Sequence, residues 1–541
     1  MTQLPGSTGD AAPDSRSPLP NSSTHPPSPG YARYTLAVLV LVYVLNFLDR
    51  NIISILAEDI KADLSISDAQ LGFLQGTAFA VFYAIFGIPL GRLADVWNRR
   101  SLIAAGLAFW SLMTALSGFS RTFAQLATAR VGVGVGEASA TPAAYSMISD
   151  LFPTRMRATV LAIYASGAAV GGGLGLMIGG QIVERWNLAF PSGETPFDLA
   201  GWQVAYLVVG LPGLFVALWV RTLREPKRGA VDGIESPSAP DPFGQFLLEL
   251  RSIVPPFTLY HLWSIGAGLR GVLLNLVIGT ISVAGAVYLI HLTGSTAQWL
   301  AIAFGLYAGG SWVQALGHRD RVSATLILRG RAFLAVCLGF SGLSFSGFGI
   351  AAWTPVFFMR VHEQSSGEVG IWIGLTAASG AVGVISGGWL ADRMRQHRRE
   401  GRLYVAIAAG MLVVPLTLWM LETQNVTLAY VINIVLSGVS AMGAGVGAST
   451  VQDLVLPRMR GVASAFYLLV LTFLGVALGP YLVGKLSDTL GVLPLAMQSV
   501  LLANVVAVAL FVFAARHLAN DENSLIERAR QAGEPGLEPR P

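Results

Sequence analysis

The first strongly hydrophobic run of the chain, from Tyr34 to Ala57, contains Leu45-Asn46-Phe47-Leu48-Asp49-Arg50-Asn51, a carboxylate and a guanidinium side by side. An Asp or Arg at the centre of a membrane helix costs roughly 2.5–3.5 kcal/mol even on lenient insertion scales. Such a pair is therefore expected to face a protein-lined, wet interior rather than lipid. There it serves either as a structural ion pair locking the helix to a neighbour or as a substrate or proton site, the role that intramembrane ionisable residues mark by default. Arg130 and Glu137 stand two turns apart on one helix face in a later apolar run. At about 1.5 Å of rise per residue, Asp49 and Arg130 each fall roughly 12 Å from the same membrane edge. The two are expected to share one depth and to be able to pair, with Glu137 near the midplane. Asp49 or Glu137 is read as the proton site. Arg130 is read as its charge partner or as the holder of an anionic headgroup, since Arg suits bidentate recognition of phosphate or carboxylate. Arg50, one step further round its helix than Asp49, is a second candidate for that part. The alternative is that Glu137 and Arg130 only brace their helix. Burial and a nearby Arg act oppositely on a carboxyl group, so a change of hydration and pairing between conformations is a means of coupling a proton to transport.

These residues need membrane-spanning elements to hold them, and the composition supplies these. Hydrophobic residues make up 53% of the chain and charged ones 12%, against about 25% charged in soluble proteins. Mean hydropathy is +0.60. The chain reads as an all-α, polytopic membrane protein, and its 61 glycines suit closely packed membrane helices. Its single cysteine, Cys337, permits no intramolecular disulfide and reads as packing, and no Cys/His metal spacing occurs. The glycine runs at 132–136 and 171–180 follow no strand and precede no Gly-Lys-Ser/Thr, so they read as helix-packing surfaces rather than phosphate loops. With no ATP site, no cofactor motif and no nucleophile–His–acid set in the spans, an enzyme is disfavoured. Any driving force must come from an ion or substrate gradient, and nothing points to a nucleic-acid partner.

Spans of about 20 apolar residues are expected near 34–57, 70–92, 101–119, 122–148, 157–183 and 202–223. Others are expected near 262–291, 297–316, 332–357, 367–390, 403–421, 427–451, 460–484 and 492–515, fourteen altogether. The first residues, 1–32, rich in Pro, Ser, Gly and Thr, read as a disordered tail without the pattern of a cleaved signal peptide. A six-helix bundle is expected over 33–223 and a cytoplasmic linker over 224–256. An inserted hairpin with its connection follows over 257–331, a second six-helix bundle over 332–517 and a cytoplasmic tail over 518–541. With a cytoplasmic N-terminus, Arg99-Arg100, Arg155/Arg157, Arg221 to Arg228, His318 to Arg321, Arg393 to Arg402 and Arg458/Arg460 all fall on one side. That satisfies the positive-inside rule and places both termini in the cytoplasm.

The halves echo each other. Gly91-Arg92-Leu93-Ala94-Asp95 returns as Gly388-Trp389-Leu390-Ala391-Asp392, 297 residues on, and Arg155-Met156-Arg157 with Tyr164 returns as Arg458-Met459-Arg460 with Tyr467, 303 residues on. Parallel six-helix halves around a central cavity are a transporter arrangement. Gly91, Asp95, Arg99 and Arg100 lie at a cytoplasmic helix end, where Asp95 is placed to pair with the Arg155/Arg157 region and latch one conformation. Asp392, Arg458 and Arg460 are the counterparts. The alternative is charge that merely sets topology. Tyr164 and Tyr467 are candidates to donate a hydrogen bond inside the cavity, and Trp353 with Pro355 to kink and line the seventh core helix. Packing or lipid-interface roles are open for these. Lys485, near a helix end, is expected to snorkel, and His261 and His291 to be interfacial.

Gly91-Arg-Leu-Ala-Asp95-Val-Trp-Asn-Arg99-Arg100 resembles the loop signature between helices two and three of the major facilitator superfamily, with Asn98 where glycine is usual. Leu126-x-x-x-Arg130 with Gly134 and Gly136 resembles its fourth-helix signature. Gly175-Leu-Met-Ile-Gly179-Gly180 is similar to its fifth-helix motif, with Leu176 in place of proline. Within that superfamily, Leu45 to Arg50, Phe109-Trp110-Ser111-Leu112, Arg130 to Ala138, Asp150-Leu151-Phe152 and Ala352-Trp353-Thr354-Pro355 resemble the Spinster family. The resemblance is dense over 34–185, thinner over 332–490 and absent from the inserted hairpin. It implies the major facilitator fold, two six-helix halves plus the hairpin, and alternating-access transport of lysolipids or sphingoid phosphates, in some members coupled to protons. The expectation is therefore a proton-coupled transporter of an amphipathic or anionic small molecule. It is expected to be monomeric, among membrane lipids, in a bacterial inner membrane. A multidrug/proton antiporter, an organic-acid symporter, and a scramblase or non-transporting sensor are the competing readings.

Overall fold

The computed structural model of the protein describes residues 28–191, 194–229, 231 and 241–534. Most of the tail expected over 1–32, the middle of the linker expected over 224–256 and the last residues of the tail expected over 518–541 lie outside the described residues. The rest is helical, with no strand among the described residues. The first half contains α1 (Pro29–Ile55), α2 (Asp68–Val96), α3 (Arg99–Ser117), α4 (Phe123–Glu137 continuing as Ala140–Leu151), α5 (Thr154–Ala189) and α6 (Gly201–Arg221). The hairpin is α7 (Gly268–Thr293) and α8 (Thr296–Arg319). The second half is α9 (Arg331–Val361), α10 (Ser366–His397), α11 (Gly401–Glu422), α12 (Val426–Asp453), α13 (Pro457–Leu490) and α14 (Leu493–Asn523).

Thirteen of these are long and apolar enough to cross a membrane. The span expected over 122–148 is the fourteenth, and it is broken at Ala138-Ser139, immediately after Glu137. Sequence starts and stops explain the entries. Ser28 caps α1 ahead of Pro29 at the first turn, Ser67 and Gln70 form a capping box at the start of α2, and Asn98 caps α3 through Ser101 N. The glycine runs seal the helix seams. A Cβ on Gly134 would stand 2.5 Å from the Phe79 carbonyl of α2, and one on Gly173 would stand 2.6 Å from the Gly374 carbonyl of α10. Backbone meets backbone there, which only glycine permits.

The halves are fastened at one end. Arg360, closing α9, bonds to Glu58 and Asp68 of the first half, each at 2.7 Å. Asp68 also accepts from Lys61 at 2.5 Å and from Ser487 at 2.7 Å. Asp488 accepts from the Asp68 and Ala69 amides at 2.9 and 2.8 Å, capping α2 from the other half. At the opposite, arginine-rich end the ion pairs stay within one half. Arg99 pairs with Asp150 and, at 2.7 Å, with Glu225. Arg402 pairs with Asp392 at 2.9 Å and Asp453 at 2.6 Å. Among the described residues no ion pair links the halves there.

The expected pairing of Asp95 with Arg155 or Arg157 is not formed in this conformation. Arg157 donates to the Ser149 carbonyl at 2.8 Å, and Arg155 is exposed. In the first half Arg99 pairs with Asp150 and Glu225 instead. Arg458 is bound by Asp320 at 2.7 Å and by Glu534, and the connecting helix Arg321–Arg329 and terminal helix Leu525–Gln531 flank these acids.

The hairpin leans on both halves through α8. Gln298 accepts from Thr77 of α2 at 2.7 Å, and Gly305 lies against Phe473 of α13 and Val81 of α2. Lys485 does not snorkel; it donates to the Thr293 carbonyl at the hairpin tip, 2.7 Å away. Inside the hairpin, buried Asn275 donates to Ser311 at 2.8 Å and Gln314 at 3.0 Å and accepts from Tyr307 at 2.7 Å. Buried His261 lies 2.7 Å from Arg319 rather than at an interface with lipid.

Arg360→Ala removes both cross-half ion pairs, a loss of about 1.5–3 kcal/mol or roughly tenfold to a hundredfold in the balance between conformations. A cysteine placed at Phe47, in a background where the native Cys337 is buried, reports it. Labelling by an impermeant maleimide from the Asp68 end is expected to rise by that factor; unchanged labelling would mean that these pairs do not hold the end shut.

Candidate functional site

The site is built where α1, α2, α3 and α4 meet. Asn46, Asp49 and Arg50 come from the last third of α1, and Arg130 and Glu137 from one face of α4. Arg50 Nη2 and Nε donate to Glu137 Oε2 at 2.8 and 3.3 Å, and Asn46 Oδ1 accepts from Nη2 at 3.4 Å. The Arg50 side chain is 24% exposed and that of Glu137 is 0% exposed. The pair is therefore layered, cation toward open space and carboxylate behind it. The guanidinium lies 4.6, 4.4 and 5.0 Å from the ring centres of Phe47, Phe79 and Tyr83. That aromatic cradle fixes its plane and partly replaces lost hydration.

Arg130 does not pair with Asp49. Each of its three nitrogens donates to a backbone carbonyl: Nη1 to Asp49 O at 3.2 Å, Nη2 to Arg50 O at 3.4 Å and Nε to Leu74 O at 3.4 Å. It staples α1 and α2 to α4 just where the charged pair of α1 sits. The depth argument puts Arg130 beside Asp49, as found, but side-chain direction turned the guanidinium to the backbone. Asp49, 2% exposed, lies close enough to Glu137, Thr114, Arg130 and Trp110 to interact with them electrostatically. Its Oδ1 nevertheless has no hydrogen-bond partner, and neither do Thr114 Oγ1, Trp110 Nε1 or Glu137 Oε1. A cluster of unsatisfied buried polar atoms around two carboxyl groups is a high-stakes arrangement.

Three residues singled out from the sequence lie elsewhere. Tyr164 is fully buried, stacked 4.4 Å from Tyr43. Tyr467 is buried against Phe340. Trp353 is fully buried and donates to the Pro480 carbonyl at 2.9 Å. In this conformation all three pack rather than line open space. Tyr83 and Tyr145 are not among the sequence candidates, and Trp110 enters only as part of the Phe109–Leu112 motif. Tyr145 is 41% exposed and edge-on to Tyr164 at 5.5 Å. Tyr145 falls eight residues beyond Glu137, across the helix break, so helical spacing from the charges gave no signal for it.

Duplicated helical halves fastened at one end, with a layered ion pair inside one of them, define a membrane transporter rather than an enzyme. The Major Facilitator Superfamily model matches residues 39–480, and the chain belongs to that superfamily. Among its relatives is an MFS-type efflux pump of Mycolicibacterium smegmatis, 27% identical over 89% of this chain and 90% of that protein. Human protein spinster homolog 1 is 27% identical over 86% of this chain and 74% of its own length. A bacterial homologue of the human lysosomal transporter Spinster, crystallised inward-facing and unoccupied, superposes with a TM-score of 0.64 at 24% identity, covering 93% of this chain and 99% of its own. The Spinster likeness read from the motifs at 45–50, 109–112, 130–138, 150–152 and 352–355 is thus supported along the chain.

Truncating Arg50 to Ala strands Glu137 as an uncompensated buried charge, a loss of about 3–5 kcal/mol. Glu137→Gln added to Arg50→Ala is expected to recover a large part of it. Thermal unfolding of the four proteins in one detergent gives the coupling; additive losses would mean that the two side chains are independent.

Proposed function

We propose that the protein is a proton-coupled secondary transporter of an amphipathic, anionic small molecule of the lysolipid or sphingoid-phosphate kind. Its arginine-rich end and both termini would lie in the cytoplasm of a bacterial inner membrane, so the described conformation is inward-facing. The observation that carries this reading is the layered Arg50–Glu137 pair. Arg50 uses Nε and Nη2 on Glu137 and keeps its remaining nitrogen for a ligand. An anionic headgroup at that guanidinium competes with Glu137 and weakens its ion pair with Arg50. Two buried carboxyl groups, Asp49 and Glu137, then share too little positive charge, and a proton on one of them relieves the cost of an unpaired buried anion. Substrate occupancy and protonation are thereby linked, and linkage is reciprocal. The mid-membrane stretches of the second half carry no comparable charges, which suits a substrate with one polar head and an apolar body. Arg130 serves by holding the backbone of Asp49 and Arg50 in place. The arginine-rich loops of Gly91 to Arg100 and Asp392 to Arg402 fasten each half internally while that end is open, and act as the latch when it closes.

A cationic-drug/proton antiporter is the second reading, favoured by the mycobacterial efflux relative. In it the carboxyl groups, rather than Arg50, meet the ligand.

The test is proton movement by purified protein in liposomes on adding lysophospholipid, sphingoid phosphate or a cationic drug, with Asp49→Asn, Glu137→Gln and Arg130→Ala alongside. A lysolipid or sphingoid-phosphate response reduced at least tenfold in the two carboxyl variants is expected. A response to the drug alone would select the antiporter reading. An undiminished response in all three variants would remove these residues from the coupling site.

A further inference from the structure

Away from the charged cluster, α3 and α6 leave an open groove of about 540 Å³ between them. Its α3 wall is Ser101, Ala105 and Ala108, among other small residues, with Trp97 of the preceding turn at its end, and Leu214 and Arg221 stand on its α6 wall. The α3 positions recur three or four residues apart, so they form one stripe. Their small side chains, set against leucine on α6, open a slot. From Ser101 to Ala108 the stripe runs about 10 Å at ~1.5 Å per residue, within one leaflet of a ~30 Å hydrocarbon core. It starts at the arginine-rich end of the molecule.

The mouth is cationic. Arg221, the last residue of α6, is exposed and has no hydrogen bond or ion pair among the described residues. The Arg224 guanidinium lies over the Tyr31 ring at 5.2 Å and, among the described residues, pairs with no carboxylate. Glu225, the nearest acid in sequence, is already taken by the Arg99 side chain and the Arg100 amide at 2.7 and 3.0 Å. Trp97 meets Phe243 of the amphipathic helix Pro242–Arg251 at 5.1 Å, and aromatic residues of this kind sit at headgroup depth. An apolar slot lying within one leaflet, ending at an unpaired guanidinium level with the headgroups, complements a single class of molecule.

We propose that this groove binds one anionic phospholipid of the leaflet adjoining the arginine-rich end, with an acyl chain along the α3 stripe and the phosphate on Arg221. Arg–phosphate pairing of this type is strong and directional, and basic pockets between membrane helices are known to select anionic headgroups. The site involves the first half alone and is separate from Arg50 and Glu137.

Tail-brominated phosphatidylglycerol and tail-brominated phosphatidylcholine, added separately to the full chain in detergent micelles, test it through tryptophan quenching. The site's signal is the part of the quenching that Trp97→Phe removes. Phosphatidylglycerol is expected to produce it at a concentration at least fivefold lower than phosphatidylcholine. Arg221→Gln should abolish that preference, and Ala105→Leu with Ala108→Leu should abolish the signal for both lipids. Arg221 lies at the exposed mouth, so its variant keeps the test decisive even if the double alanine variant fails to fold. Equal quenching by the two lipids, a preference that survives Arg221→Gln, or a Trp97 that neither lipid reaches because a second copy of the chain covers it would each overturn the proposal.

Discussion

A charge inside a membrane protein has to find its partner within the protein, because lipid offers none. In this chain that requirement falls on four neighbouring side chains of the first half, Asp49, Arg50, Arg130 and Glu137, and much of the surrounding architecture follows from it. Arg50 neutralises Glu137, and Arg130 spends its donors on the carbonyls of Asp49, Arg50 and Leu74. Beside them, Gly132, Gly134 and Gly136 remove side chains from the α4 seam with α2 and α3, so that α4 packs directly on both. The break after Glu137 ends the first α4 segment at the charge itself.

The same economy of small residues and few charges shapes the whole transporter. Glycine seams join α5 to α10, while Arg360, Asp68 and Asp488 fasten the halves at one end only. The opposite end is rich in arginine, yet among the described residues no ion pair crosses between the halves there. This distribution leaves two ways of closing the molecule: polar bonds that already span the halves, and polar bonds that must first be released from within a half. An alternating-access cycle needs such an exchange. The hairpin does not stand aside from it, since α8 touches α2 and α13 together and Lys485 ties its tip to the second half.

Much of this was legible in the sequence. Fourteen spans, the two echoing halves and the extra hairpin follow from hydropathy, arginine placement and repeated motifs, because membrane length and charge rules act on the chain locally. The charged cluster was also legible, since depth along a helix is simple arithmetic. Pairing was not. Whether Arg130 or Arg50 reaches Glu137 depends on helix rotation and side-chain direction, which spacing alone does not determine; Arg130 met carbonyls that no sequence pattern advertises. Tyr164, Tyr467 and Trp353 have the chemistry of cavity residues but are buried, because an aromatic ring gains as much from packing as from lining open space. Asp150 and Glu225 became the partners of Arg99 through a loop whose path the motif does not encode.

The account's central claim is that the carboxyl groups beside Arg50 are where the proton is taken up and given back. Difference infrared spectroscopy of the reconstituted full chain across a pH step tests this most directly, because it sees carboxyl protonation itself. The account predicts a titrating carboxyl band that is lost or reduced in Asp49→Asn or Glu137→Gln and displaced in Arg50→Lys. A spectrum in which every titrating carboxyl band survives all three substitutions unchanged would contradict it.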